Sequence, residues 1–206
     1  MFGIIRIILG VLFFLIVFLT TMSSKTNAKK IISLIIIAFG ISFALSFVPF
    51  ENILVVFPSA ESAYKYYNSM NADVAMVLEG ENSSLVVEKK KASVYSGMIV
   101  PRCDSGWKLG MGIDTKRIWE SHSSECNIVC YQYKNTGEYY VCVMPFKEIQ
   151  TISDNKNSEF ISIETDEKLL LPQLTLYYAY VQDLGDEYQI DVNGVRMSIK
   201  DRGRLA

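Results

Sequence analysis

Two apolar runs near the front of the chain, Phe2–Met22 and Ile31–Val48, constrain everything that follows them. A helix of roughly 20 apolar residues crosses a bilayer core about 30 Å thick. The first run has that length and carries one charge, Arg6, close enough to its end for the side chain to reach the headgroups. The second run has no charge and gains Pro49 and Phe50 at its edge. Ser23–Lys30, a short polar connection, joins the two. The expectation is therefore a two-span transmembrane helical hairpin, with spans at about 2–22 and 31–50 and the lipid bilayer as a partner. A cleaved signal peptide is the rival reading of the first run. It is the weaker one: the apolar stretch is long, no Ala-x-Ala site ends it, and a second span follows at once.

Charge sets the expected orientation. Lys25, Lys29 and Lys30 lie in the connection, and no basic residue follows the second run until Lys65. Basic residues near span ends favour the cytoplasmic side, which places the loop at 23–30 inside and both termini outside. Arg6 and the terminal amine pull the other way. In the second run Ala38, Ser42 and Ser46 form a small-residue stripe, and Gly40 and Ala44 form another. Such stripes let helix backbones approach closely, either against the first span, where Gly3 and Gly10 give matching relief, or against another membrane protein.

The composition changes sharply after residue 50. Eight of the eleven Phe lie in residues 1–50, while all twelve Tyr lie between Tyr64 and Tyr188. Every Asp and Glu stands at or beyond Glu51. Removing Arg6, Lys25, Lys29 and Lys30 from the 20 basic residues leaves 16 against 22 acidic ones, a net of −6 for that part. With no basic stripe, nucleic acid is not an expected partner. The expected organisation is a membrane hairpin with a juxtamembrane segment over 1–57, then one extracytoplasmic domain over 58–206.

Within that second part, Glu51–Phe57 reads as an interfacial segment or a first strand. Ser59 after Pro58 reads as a helix N-cap, with Glu61 in the first turn, where the helix dipole favours a carboxylate. Ala60, Ala63, Tyr64, Tyr67 and Met70 then follow the spacing of a half-buried helix. From Asp73 the pattern turns to strands: Val74–Glu79 and Ser84–Lys89 as a hairpin about Gly80–Ser83, then Ala92–Val100 stopped by Pro101. Gly106–Gly112 lacks the flanking strand, helix and glycine spacing of a phosphate loop and reads as a loop or a bulged strand.

Two later hairpins have the sharpest local signals. Asn127–Lys134 and Glu138–Met144 flank Asn135-Thr136-Gly137, which suits a three-residue turn. With Lys134 opposite Glu138, Cys130 stands opposite Cys142. Glu187–Val192 and Val195–Lys200 flank Asn193-Gly194, a two-residue turn signal. That register pairs Tyr188 with Ile199, Ile190 with Met197 and Val192 with Val195 on one apolar face. Asp191 with Arg196 and Glu187 with Lys200 fall on the charged face. Thr151–Ser158 reads as a polar loop, and Phe160–Glu164 and Leu174–Val181 as further strands. The expected fold class is α+β: the membrane hairpin, then a single β-rich antiparallel domain with one N-terminal helix and about eight strands.

Little chemistry is nominated. Cys130 and Cys142 are the candidate disulfide, with Cys103–Cys126 as a second bridge; the competing reading makes all four small buried hydrophobes. His122, Cys126 and Cys130 are four apart, but on a strand the two cysteines stand about 13 Å apart, unlike closely spaced zinc ligands. His122 is the only histidine and sits in a polar Ser-His-Ser-Ser stretch. No serine has the glycine-flanked elbow of a hydrolase nucleophile. No cofactor or metal site is nominated and the catalytic residues are unknown. The functional expectation is a membrane-anchored extracytoplasmic binding or accessory protein rather than an enzyme. The alternative is a cell-envelope hydrolase using paired carboxylates.

Overall fold

The structure, a computed structural model, describes residues 4–22, 32–33, 35–37, 40, 52, 55–68, 70–90, 95–110, 115–163, 175–185 and 187–199. Among these residues no helix is long and apolar enough to cross a membrane. Among the described residues the expected two-span helical hairpin is therefore not present, and the reading of the chain as a two-pass membrane protein is corrected. The helix at the front, α1 (Ile4–Met22), is 19 residues long. Its unbroken apolar stretch between Arg6 and Thr20 is Ile7–Leu19. At about 1.5 Å per residue those thirteen residues cover about 20 Å, well short of a hydrocarbon core of about 30 Å. The Thr20 hydroxyl at its end donates to the Ile16 and Val17 carbonyls within the helix. Most of the second run lies outside the described residues, as do the loop at 23–30 and the stripe residues Ala38, Ser42, Ala44 and Ser46.

The rest of the described chain is mostly β rather than α+β, with twelve strands where the sequence suggested eight. Sheet A runs in the order β1 (Val74–Glu79), β2 (Ser83–Lys89), β3 (Tyr95–Cys103), β4 (Gly106–Trp107). Sheet B orders β5 (Thr115–His122), β6 (Cys126–Tyr133), β7 (Glu138–Pro145), β10 (Leu176–Gln182) and β9 (Ile161–Ile163). Sheet C orders β12 (Val195–Ile199), β11 (Tyr188–Val192) and β8 (Ile152–Asp154). All pairings are antiparallel.

Three cores separate four layers. Helix α2 (Ala60–Tyr67) lays Ala60, Ala63 and Tyr64 on Val86, Val100 and Trp107 of sheet A. The opposite face of sheet A presents Leu85, Val87 and Ile99 to Tyr133, Tyr140, Cys142 and Tyr178 of sheet B. The far face of sheet B presents Ile128, Cys130, Val141 and Val143 to Tyr188, Ile190, Val192 and Met197 of sheet C. Sheets A and B are thus covered on both faces. That explains why Ser83–Val87 and Val141–Val143 are buried without alternation: side chains on either face enter a core. Val86 and Val87 are each 0 % exposed yet belong to different cores, and each contributes roughly 1.5–3 kcal/mol of burial.

Local chemistry explains the ends of these elements. The Ser59 hydroxyl accepts from Ser62 N–H at 3.1 Å while Ser62 Oγ accepts from Ser59 N–H at 3.2 Å, a reciprocal cap that starts α2. The helix stops at Tyr67, so Met70 lies beyond it, 78 % exposed and off the expected apolar face. The folded region also begins before Pro58. Asn52 exchanges two hydrogen bonds with the Leu109 backbone, at 2.8 and 2.7 Å. Phe57 forms a bridge to Trp107 through two bonds of 2.9 Å. Gly106, at φ +146°, permits that approach, because a Cβ there would meet the Phe57 carbonyl oxygen at 2.6 Å. Thr151–Ser158 is not a plain loop, since Ile152–Asp154 is the outer strand of sheet C.

Candidate functional site

Glu138 opens β7 and is 1 % exposed, the one carboxylate among the buried polar residues described. Its Oε1 accepts from Asn82 N–H at 2.7 Å and from the Tyr180 hydroxyl at 3.2 Å. Its Oε2 accepts from the Ser83 hydroxyl at 2.9 Å. The Ser83 hydroxyl also lies 2.9 Å from the Tyr140 hydroxyl. Having given its single hydrogen to Glu138, Ser83 can only accept there, so Tyr140 is the donor. Every bond in the chain from Tyr140 through Ser83 therefore points toward the carboxylate. Burial and the Glu138 charge raise the Tyr180 hydroxyl to about 12, and burial likewise pushes Tyr140 well above the ordinary tyrosine value.

This cluster joins the β1–β2 turn of sheet A to β7 and β10 of sheet B. Gly80 makes the approach feasible: a Cβ there would stand 2.7 Å from the Tyr140 hydroxyl, 2.7 Å from Tyr180 Cε2 and 2.9 Å from Glu138 Oε1. Chemically the group is closed. The carboxylate is occupied by three structural donors, one on Oε2 and two on Oε1.

Asp154 is the second committed carboxylate. Its Oδ1 accepts from Lys156 N–H at 3.0 Å and Ser158 N–H at 2.8 Å, and Oδ2 accepts from the Tyr188 hydroxyl at 2.6 Å. Burial opposes its ionisation, but the hydrogen bonds from Ser158, Tyr188 and Lys156 outweigh it and hold the carboxyl below its ordinary value. Asn155 adds bonds to the Glu187 carbonyl and the Gln189 N–H, so the segment is fastened along β11.

The cysteines do not form the expected pair. Tyr133, not Lys134, stands opposite Glu138, which puts Cys130 across from Val141 and Cys142 across from Val129. The cause is the turn: Lys134 takes φ +47° and Gly137 φ +78°, so the loop holds four residues, 134–137, instead of three. A one-residue slip exchanges the faces of a strand. Cys130 accordingly faces sheet C and Cys142 faces sheet A, and all four cysteines are free thiols. Burial raises the Cys142 thiol to about 12. Cys103 is the more accessible thiol, and its pKa is lowered by the Ser105 hydroxyl.

His122 ends β5 rather than lying in a loop. A bulge between Arg117 and Trp119 reverses the alternation midway along this strand. As a result Arg117, Glu120 and His122 project from one face, the face opposite buried Cys126 and Cys130. The His122–Cys126–Cys130 set is therefore not brought together, and no group of three metal-ligating side chains is found among the described residues. Glu120 instead lies between two basic side chains, with Arg117 at 3.2 Å and the His122 imidazole at 3.7 Å. This exposed row adjoins half-buried Tyr131, whose hydroxyl is raised by burial first and then by the neighbouring Cys142. The exposed row depends on the bulge, which residue spacing alone does not reveal. Comparison with protein-family models, with curated proteins and with solved structures finds no match for this chain.

Proposed function

We propose that this protein is a non-enzymatic binding or accessory protein, its stacked sheets serving as a rigid scaffold for a surface that meets a partner. One observation carries the reading. Glu138 and Asp154, the carboxylates with the most elaborate surroundings, spend their acceptor capacity holding sheet to sheet and segment to strand. The polar side chains left at the surface of β5 form a mixed-charge row beside Tyr131. A mixed-charge row on the surface of a sheet suits recognition, where complementary potential selects the partner.

Crosslinking the full-length chain in its native cells, followed by mapping of the linked peptides, tests this. Links from β5 and β6 to a protein other than a second copy of this chain, which disappear in an Arg117→Glu, His122→Ala variant that folds normally, support the reading. Hydrolysis of an envelope polymer by the purified chain, abolished by a folded Glu120→Gln or Glu138→Gln variant, overturns it in favour of a carboxylate enzyme.

A further inference from the structure

The bulge in β5 has a second consequence, at the edge of the sheet. Strand β5 is eight residues long and forms one end of sheet B, whereas β9 at the other end has three residues. Among the described residues no strand pairs with the outer side of β5. An exposed edge carries unpaired backbone donors and acceptors and is a template for another strand. The question is which strand its side chains accept.

We infer that β5 pairs antiparallel with β5 of a second copy of this chain, about a two-fold axis through the Ile118–Trp119 peptide. A two-fold axis normal to the sheet leaves each side chain on its own face. Residues can then stand opposite one another only if they share a face. In a regular strand, where faces alternate strictly, this forces the axis through a residue. The bulge changes that condition, because Ile118 and Trp119 both pack toward the core beneath sheet C. With alternation reversed there, the axis falls between these two residues, and every opposing pair shares a face.

The chemistry of that register is self-complementary. Arg117 stands opposite Glu120 of the second copy, and Glu120 opposite its Arg117. Ile118 opposes Trp119, Lys116 opposes Ser121, and Thr115 opposes His122. Arg117 and Glu120 are already within 3.2 Å inside one strand, so two copies bring four alternating charges together beside an apolar Ile–Trp pair. Networks of this kind outperform isolated surface pairs. Shifting the register by two residues in either direction loses the Arg–Glu opposition. The occupant the edge fits best is thus its own copy, which extends sheet B to ten strands. The inference does not depend on the binding role proposed above.

Differently tagged full-length chains provide the test, read by co-capture and by light scattering across a concentration series. Wild type is expected to co-capture and to dimerise. Arg117→Glu places Glu opposite Glu at both contacts, and Glu120→Arg places Arg opposite Arg, so each variant alone should dimerise at least about tenfold more weakly. Mixed together, the two variants restore both opposite-charge pairs, and the heterodimer should return to about wild-type affinity. Rescue on mixing is a result that misfolding of either variant cannot produce. Three results overturn the inference: a monomeric wild type, association that survives both reversals, as contact through the exposed apolar surface of α1 would, or failure of the mixture to restore co-capture.

Discussion

Glu138 and Ser83 lie 55 positions apart in the chain, yet the Ser83 hydroxyl donates to Glu138 Oε2 at 2.9 Å across the seam between sheets A and B. With Tyr140 behind Ser83 and Tyr180 on the other oxygen, this contact makes the seam polar at one end and apolar along the rest. Buried polar groups of this kind stabilise only while every member is satisfied.

Glu138→Ala therefore leaves the Asn82 N–H and the Ser83 and Tyr180 hydroxyls without their acceptor. At about 1–3 kcal/mol for a buried unsatisfied group, a loss on the order of 3 kcal/mol is expected. Ser83→Ala, which removes one of the three donors, should cost less, on the order of 1–2 kcal/mol. Urea unfolding of the two variants checks the order. Equal, negligible losses would mean that the carboxylate does not hold the seam.

Gly80→Ala probes the same seam by volume. Its Cβ would come within 3.0 Å of Tyr140, Tyr180 and Glu138 at once, so overpacking of about 1–3 kcal/mol is expected. A midpoint within error of wild type would show that the two tyrosines move aside freely.

The free thiols make a further prediction. Unfolded, unreduced protein should label at all four cysteines, since Cys130 and Cys142 enter different cores. In the native protein Cys103 should label first, being accessible and lowered in pKa by Ser105, while buried Cys126, Cys130 and Cys142 are protected. Loss of two labelling sites in unreduced, unfolded protein would restore the disulfide.

These elements differ in how far the sequence reveals them. Helix α2 and the β11–β12 hairpin are legible because their signals are local: the Ser59 cap, and Asn193-Gly194 with φ +52° and +81°. The structure pairs Tyr188 with Ile199, Ile190 with Met197 and Asp191 with Arg196, as the alternation of that segment implies. The β6–β7 turn is not legible in the same way. Lysine gives no signal for positive φ, and Lys134 adopts it, moving the register by one and separating the cysteines. The apolar front run reads as a span from its length and composition, whereas among the described residues no helix is long and apolar enough to cross a membrane. The Glu138 cluster was invisible for a different reason: its members Ser83, Tyr140 and Tyr180 become neighbours only once sheet A lies on sheet B.

Asp154 gives the fold an acid-sensitive point. An aspartate in the unfolded chain titrates near 3.9, and the hydrogen bonds at Asp154 place its folded value lower despite burial. A depressed carboxyl contributes stability that is whole above the unfolded value and fades as pH falls through the folded one. Asp154→Asn should therefore be less stable than wild type at pH 7, by on the order of 1 kcal/mol, with the gap closing toward pH 3. Chemical denaturation at a series of pH values reads this directly. A constant gap across that range would assign the effect to shape rather than charge.

Asn193 carries two duties at the β11–β12 turn. It holds φ +52°, and its side chain ties the turn to the chain entering β8. Oδ1 accepts from Gln150 N–H at 2.8 Å and Thr151 N–H at 3.2 Å, and Nδ2 donates to the Glu148 carbonyl at 3.2 Å. Asn193→Gly keeps the backbone freedom and loses the ties, whereas Asn193→Ala loses both. Two steps of destabilisation are expected, each about 1 kcal/mol, with Gly intermediate between wild type and Ala. If Gly equals wild type, the side-chain ties contribute nothing; if Gly equals Ala, the backbone conformation is not what selects asparagine there.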